Sequence, residues 1–311
     1  MILCLNLNAA IDKTILVDSF ALDKIHRSEK VVALAGGKGC NVARALKKMG
    51  KTPVVSGWVG GFAGQFIEQE LNKEGIATDF VETGLESRTC TSILDQENQT
   101  MTEIYENGEM LPEEKVEEFV AHFRGIVGNY RAITLSGSLP PGVPSDIYAR
   151  LIQIAHEADI PTYLDSSKDA LQDGIAAKPF LVKPNETEIS ALLDEKPGSS
   201  VRELATAIQA VAAEYTSTVV LSLGERGALL SDGKQTWQAQ PPNVNAISAV
   251  GSGDSMLAGL VAGFSEGLSP EEAIKYGVAA GTANTLTLGA GQFSVDDFEA
   301  IREQVLVKSL I

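Results

Sequence analysis

Short apolar runs of strand length alternate with amphipathic helical stretches through most of these 311 residues, and that rhythm leaves few architectures open. "KTPVVSG" (51–57) reads as a strand and "AGQFIEQELNKEG" (63–75) as a helix stopped at Gly75. "RAITLSG" (131–137), "IPTYLD" (160–165), "KPFLVKPN" (178–185) and "STVVLSLG" (217–224) read as further strands, the last turning back through a hairpin at "GERG". Helices are expected over 145–158, 252–265, 269–286 and 294–307. Such alternation predicts an α/β fold whose mainly parallel sheet is covered by helices on both faces.

Two stretches break the rhythm. Residues 10–33 and 86–107 carry strand-like alternation ("KTILVDSF", "TCTSILD", "QTMTEIYE") with no helix between the runs. They predict a small antiparallel β-sheet, a lid standing off a core made of 1–9, 34–85 and 108–311. An apolar sheet face has to be covered, so the lid is expected to close over a ligand, to pack on a second copy as a homodimer, or both.

A net charge of −16 repels phosphate backbones and argues against nucleic acid as a partner. Any anionic ligand then needs a locally positive site. Cys4, Cys40 and Cys90 are odd in number and lack metal-ligand spacing, which reads as reduced thiols of a cytoplasmic protein. The start, "MILCLNLNAAIDK", has no basic region and reads as a first strand rather than a leader, and no apolar run is long enough to span a membrane. His26, His122 and His156 fall in no catalytic constellation.

Two helices are expected to begin at glycine-rich turns: "GGKGCN" (36–41) and "AVGSGDSMLAGL" (249–260). A helix start presents unsatisfied N–H groups and a partial positive charge, and glycines let an anion approach them. Asp254, in the first turn of the second helix, reads either as an ordinary first-turn acid or as a base beside an anion hole built from Gly251, Ser252 and Gly253. Phosphoryl transfer needs those two features as neighbours. The first stretch lacks the third glycine and the following acid of a dinucleotide site, and no Gly-Lys-Ser/Thr run makes a Walker loop.

Taken in order, "NLNAAID", "GGKGCNVARAL", "SGSLPPG" (136–142), "VKPNETE" (182–188), "SLGERGALL" (222–230) and "VGSGDSMLAG" (250–259) resemble the ribokinase-like (PfkB) carbohydrate kinases over nearly the whole chain. The resemblance implies a three-layer α/β/α domain with a β-sheet lid, and ATP-dependent phosphorylation of a sugar. "SGSLPPG", "VKPN" and "SLGERGA" look typical of the phosphosugar branch that makes ketohexose bisphosphates, and within it "SRTCTSIL" (87–94), "GSGDS" and "GQFI" (64–67) look closer to the members that take tagatose 6-phosphate. Tagatose 6-phosphate is the favoured acceptor and fructose 1-phosphate the alternative.

Further roles follow from the resemblance. Asp254 is the candidate base, expected to stay ionised near neutral pH. Asp12, Gly37 and Asn41 would meet sugar hydroxyls, with glycine at 37 keeping a side chain out of the sugar's path. Lys38 fits a phosphate of either substrate or a solvated turn. Arg88 is the expected anchor for the sugar phosphate, because a guanidinium matches phosphate bidentately, with Arg27 a second candidate and Ser138 a further contact. The lysine that many 1-phosphofructokinases carry in the lid is Ser92 here. Lys183, Asn185, Ser222, Gly224 and Gly227 would line the nucleotide site, with Thr282 and Asn284 flanking the adenine. Glu188 would hold Mg²⁺ through water. The usual aspartate of a monovalent-cation site is Ser248 here, leaving the carbonyls of Ser248 and Val250 for K⁺. A non-enzymatic sugar-phosphate or nucleotide sensor on the same fold is the competing class, and a nicotinamide-dependent dehydrogenase a third.

Overall fold

The computed structural model describes residues 1–193 and 198–311. Among them, a large sheet holds β1 (Ile2–Asn6), β4 (Pro53–Val59), β5 (Ala77–Thr78), β6 (Val81–Glu82), β9 (Ile133–Ser136), β10 (Thr162–Asp165), β11 (Leu181–Val182), β12 (Thr218–Ser222), β13 (Ala228–Ser231), β14 (Thr236–Gln240) and β15 (Leu306–Ser309). A separate small sheet holds β2 (Ala10–Val17), β3 (Lys30–Gly36), β7 (Arg88–Asp95) and β8 (Thr100–Tyr105). The helices are α1 (Lys38–Lys48), α2 (Gly61–Lys73), α3 (Glu113–Ile126), α4 (Ile147–Glu157), α5 (Lys168–Ala176), α6 (Glu186–Ile189), α7 (Val201–Tyr215), α8 (Ser252–Ser265), α9 (Pro270–Asn284) and α10 (Val295–Gln304).

Strand alternation builds the layers. Successive side chains of a strand point to opposite faces. Ile2 and Cys4 of β1 therefore join one core, under α1, α2, α8, α9 and α10, while Leu3 and Leu5 join the other, under α3, α4, α5 and α7. The result is the expected α/β/α sandwich.

The large sheet runs β15-β14-β13-β12-β11-β10-β9-β1-β4-β5, with β6 against β4. Strands from β5 to β12 pair in parallel, and β13, β14 and β15 add an antiparallel edge. The chain leaves β1 toward β4 on one side and returns to place β9 on the other. Strand order reverses there, and a crevice opens at the carboxyl ends of the strands.

The structure corrects three details. The small sheet, ordered β3-β2-β7-β8, is mixed rather than antiparallel, because β2 and β7 run parallel from Ala10↔Arg88 to Val17↔Asp95. A parallel pair needs a long crossover; here it includes α1, β4 and α2, and local patterning carries no record of it. The small sheet also extends beyond 33, since β3 continues to Gly36 and runs straight into α1. The helix expected over 294–307 ends at Gln304, and the chain turns extended at Val305 to add β15 beside β14. There Val305 is buried and Leu306 72% exposed, a period of two that an edge strand satisfies.

Candidate functional site

A cleft of about 270 Å³ at the carboxyl ends of the strands is lined by Lys38, Asp165, Lys183, Asn185, Glu188, Ser222, Gly251, Gly253 and Asp254. All but Asp165 are residues to which the sequence had already pointed. A larger open groove, about 840 Å³, lies at the amino ends of β10, β11 and β12 near Pro161, Phe180 and Thr216, and contains none of them. The chemistry gathers in the smaller space.

Gly251 caps α8 in the left-handed region (φ 77°), where a β-carbon would overlap Ala290. Gly253 is different: a β-carbon there meets only Lys183 Nζ, at an ordinary 3.5 Å. Protein packing does not require that glycine, but an open cleft does. Asp254 follows in the first turn and is only 6% exposed. Burial pushes its pKa up to about 6, the Lys38 ammonium pulls it down and Asp165 pushes it up, while the Asn41 amide and Lys183 favour the charged form. The carboxylate is thus mostly ionised at neutral pH, with a raised rather than an ordinary pKa.

Asp165, at the end of β10, organises the cations. Its Oδ1 accepts a hydrogen bond from Lys38 Nζ at 2.9 Å, and its Oδ2 lies 3.0 Å from Lys183 Nζ. Burial works against its charge, but the two ammonium groups outweigh burial and hold its pKa below the usual carboxylate range. They raise no such problem for Lys38, whose own pKa is pushed upward chiefly by Asp165. Lys38, although 41% of its side chain is exposed, is therefore a cation tied to the cleft by Asp165 rather than a free turn lysine. An acid closing the strand "IPTYLD", at the end of a parallel strand where ligands bind, was the available signal for Asp165.

The first glycine cluster presses α1 onto β1. A β-carbon on Gly36 would overlap the Asp12 carboxyl, one on Gly37 (φ 94°) would overlap Asn6, and one on Gly39 would crowd Leu5 O at 2.5 Å. Its backbone angle and Asn6 already require glycine at 37, before any sugar approaches. The Gly37 N–H donates to Asp12, whose pKa burial nonetheless raises against that bond and the Arg88 and Arg44 guanidinium groups. Asn41 is buried, and both ends of its amide are engaged, the nitrogen donating to Asp254 Oδ2 at 2.9 Å. Besides any hydroxyl contact, Asn41 thus holds Asp254.

Arg88 shares a face of the small sheet with Asp12 and donates only to carbonyls: Asn8 O at 3.3 and 3.2 Å and Glu106 O at 3.1 Å. Among the described residues it has no carboxylate ion pair, so its charge is available to an anion. Ser138 accepts from Asn8 Nδ2 at 3.3 Å beside that region. Arg27 lies in the exposed stretch between β2 and β3 and lines neither this cleft nor the crevice around Arg88.

On the far side, Asn185 caps α6, accepting from Thr187 and Glu188 N–H groups at 2.9 Å, and Glu188 Oε2 accepts from the Asn185 N–H in return. Ser222 reaches the cleft, and Gly224 (φ 59°) faces open space. Gly227 would overlap Ala239 O with any side chain, which explains that glycine by packing alone. Asn284 is fully buried. Its Nδ2 donates to Val250 O at 2.7 Å and its Oδ1 accepts from Gly291 N–H at 2.7 Å. It therefore braces the α8 start and cannot flank an adenine as expected. Thr282, on the same helix end, is half-buried, with its carbonyl accepting from Thr285. Ser248 Oγ accepts from Val250 N–H at 3.2 Å, so a cation at these oxygens would share Val250 O with Asn284.

A carboxylate, two fixed ammonium groups and a helix start within one cleft can deprotonate a hydroxyl and neutralise a transferring anion. Residues 5–297 match the pfkB family carbohydrate kinase domain. The chain is 34% identical over 309 residues to a tagatose-6-phosphate kinase of Staphylococcus epidermidis, covering 99% of both chains. It superposes on phosphofructokinase-2 of Escherichia coli in complex with potassium with a TM-score of 0.92 at 30% identity, over 97% of this chain and 98% of that one. The same Escherichia coli protein in complex with fructose-6-phosphate gives 0.90 over the same shares, at 30% identity.

Proposed function

Because the chain belongs to the pfkB family of carbohydrate kinases and is an ATP-dependent sugar-phosphate phosphotransferase, we propose that its acceptor is tagatose 6-phosphate and its product tagatose 1,6-bisphosphate. The choice of acceptor rests on the 34% identity to a tagatose-6-phosphate kinase, and the transfer itself on Asp254 in the first turn of α8, facing a cleft whose cations are Lys38 and Lys183.

ATP occupies the cleft between Asn185, Ser222 and the α8 start. The sugar lies toward Asp12, with its phosphate on Arg88 and Ser138. Asp254 accepts the proton of the sugar's O1, and that oxygen forms the new bond to the γ-phosphorus as the bond to the leaving ADP oxygen breaks. The N–H groups of the α8 start, with Lys38 and Lys183, stabilise the charge on the transferring group. Gly253 keeps the path to those N–H groups free.

The donor set fits Mg²⁺. Glu188 lines the cleft with one carboxylate oxygen engaged by the Asn185 N–H, and magnesium keeps most of its waters when carboxylates are few. Bound with the nucleotide, the metal supplies neutralisation of phosphate charge. A monovalent cation would be held by the carbonyls of Ser248 and Val250, the latter shared with Asn284.

The small sheet carries Asp12 and Arg88 and covers the sugar. Its edge strand β8 is exposed along its whole length, with Met101, Ile104 and Tyr105 in solvent and Val31 exposed on β3. A second copy covering that edge makes the protein a homodimer through the lid. Among the described residues, no helix is long and apolar enough to cross a membrane. Cys4, Cys40 and Cys90 are free and buried, which suits a reducing cytoplasm.

The test is kcat/KM with ATP for tagatose 6-phosphate, fructose 6-phosphate and fructose 1-phosphate, with the bisphosphate identified. Highest efficiency on fructose 1-phosphate would reassign the acceptor. Absence of turnover with all three would overturn the reading.

A further inference from the structure

Arg44 lies one helical turn after Asn41 on α1, and only 2% of it is exposed. A buried guanidinium needs acceptors for its donors, and Arg44 has a full set. Nε and Nη2 donate to the two oxygens of Glu74 at 2.6 and 3.0 Å, and Nη2 also to Ala35 O at 2.9 Å. Nη1 donates to Ala290 O at 3.3 Å and to Asn41 Oδ1 at 3.2 Å. The Asn41 nitrogen in turn donates to Asp254 Oδ2 at 2.9 Å.

The direction of this relay is dictated by chemistry. A guanidinium only donates and a carboxylate only accepts. Asn41, between the two, has one workable orientation, oxygen toward Arg44 and nitrogen toward Asp254. The flipped amide would set N–H against N–H and oxygen against oxygen. The Ala290 bond adds a second arm, because Ala290 fills the space beside Gly251, and the next residue, Gly291, is held by the Asn284 amide that also grips Val250.

We propose that Arg44, clamped by Glu74, is a positioning residue for phosphoryl transfer: it aims the Asn41 amide at Asp254 and anchors the turn that backs the α8 start. The inference rests on the reading of Asp254 as the base. Asp254 is faced by Lys38 and Asn41 from α1, by Asp165 from β10 and by Lys183 beyond β11. Arg44 is faced by Glu74 beyond α2, by Asp12 from β2 and by the Cys40 thiol. Its effect on Asp254 therefore passes through the Asn41 amide.

Arg44→Lys keeps the charge and loses the fork. The expected result is a kcat lowered about 10-fold or more with KM for both substrates within about 3-fold, the pattern of a lost transition-state contact. The acid limb of the kcat profile moves up by about half a pH unit or more, because a hydrogen bond favouring the carboxylate is lost. A ¹³C NMR titration of the Asp254 carboxyl in the ligand-free enzyme shows the same shift without relying on turnover. Arg44→Met combined with Glu74→Gln removes both charges of the pair together and is expected to give the same shift, which covers poor folding of the single variant. A folded variant whose acid limb and NMR titration stay at wild-type values overturns the proposal, whatever its kcat, since a purely structural role predicts that result. Retained turnover in Asp254→Asn would instead defeat the base assignment. An inert Asp254→Asn beside an unmoved titration in Arg44→Lys defeats the Arg44 role alone.

Discussion

Lys183 and Asp165 face each other across 3.0 Å with only 5% and 2% of their side chains exposed, and Lys38 completes the group from the other oxygen. Removing one partner of a buried pair leaves a charge without compensation, at a cost of about 3–5 kcal/mol. Asp165→Asn keeps the shape and deletes the charge. It is expected to lower the melting temperature and to reduce kcat/KM about 100-fold as the two ammonium groups lose their common anchor. It also shifts the acid limb of the kcat profile downward, because the Asp165 charge helps to raise the pKa of Asp254. Thermal melts with a pH–rate profile check both, and a wild-type melting temperature with an unmoved limb would refute the account.

Asp254 makes activity and stability oppose each other with pH. Its carboxyl must be ionised to accept a proton, so kcat is expected to fall as pH drops through about 6. The sign for stability is the reverse. A folded-state pKa raised above the unfolded value contributes stability that is fully present below about 3.8 and lost as pH rises through about 6. Asp254→Asn removes that loss while leaving an oxygen for the Asn41 amide. Relative to wild type, the variant is expected to gain about 2 kcal/mol between pH 4.5 and pH 8, from the size of the shift. Denaturant unfolding at the two pH values measures it, and a gain that shrinks with rising pH contradicts the assignment.

The two glycines of the α8 start are expected to separate function from stability. Gly253→Ala introduces a β-carbon with only an ordinary contact to Lys183 and should raise stability by up to about 1 kcal/mol, because alanine suits a helix better. Activity should nonetheless fall at least about 10-fold as the methyl enters the path of the transferring group. Gly251→Ala meets Ala290 at a positive φ and should destabilise the protein by about 1–3 kcal/mol. Equal effects of the two substitutions on melting temperature and on kcat would contradict this division.

Arg88 is expected to act mainly in binding. Its guanidinium is already aligned by Asn8 O and Glu106 O, bonds that a lysine cannot reproduce in the same geometry. Arg88→Lys should raise KM for the sugar phosphate about 10–100-fold, from the loss of a charge-assisted bidentate contact, with a smaller change in KM for ATP. A sugar-phosphate KM within twofold of wild type would remove Arg88 from the anchor role.

Local chemistry decided what could be read from one dimension. Strand alternation in "MILCLNLN" and the helix starts at "GGKGCN" and "VGSGDS" depend on neighbours a few residues away, so the layers and Asp254 beside its glycines were legible from the residues themselves, whereas Lys183, Asn185, Glu188 and Ser222 of the cleft lining were reached only through the family resemblance. The parallel pairing of β2 with β7, the bond from Lys38 to Asp165 across 127 residues and the bond from Asn41 to Asp254 across 213 were not. Asp165 reads as an ordinary acid at a strand end and Arg44 as an ordinary helical arginine until packing removes water from around them. Patterning thus determined which faces are apolar and where amide-rich turns fall. Tertiary structure alone decided which charges lie buried side by side, because the energy of a charge is set by the groups folding brings within a few ångströms of it and not by its place along the chain.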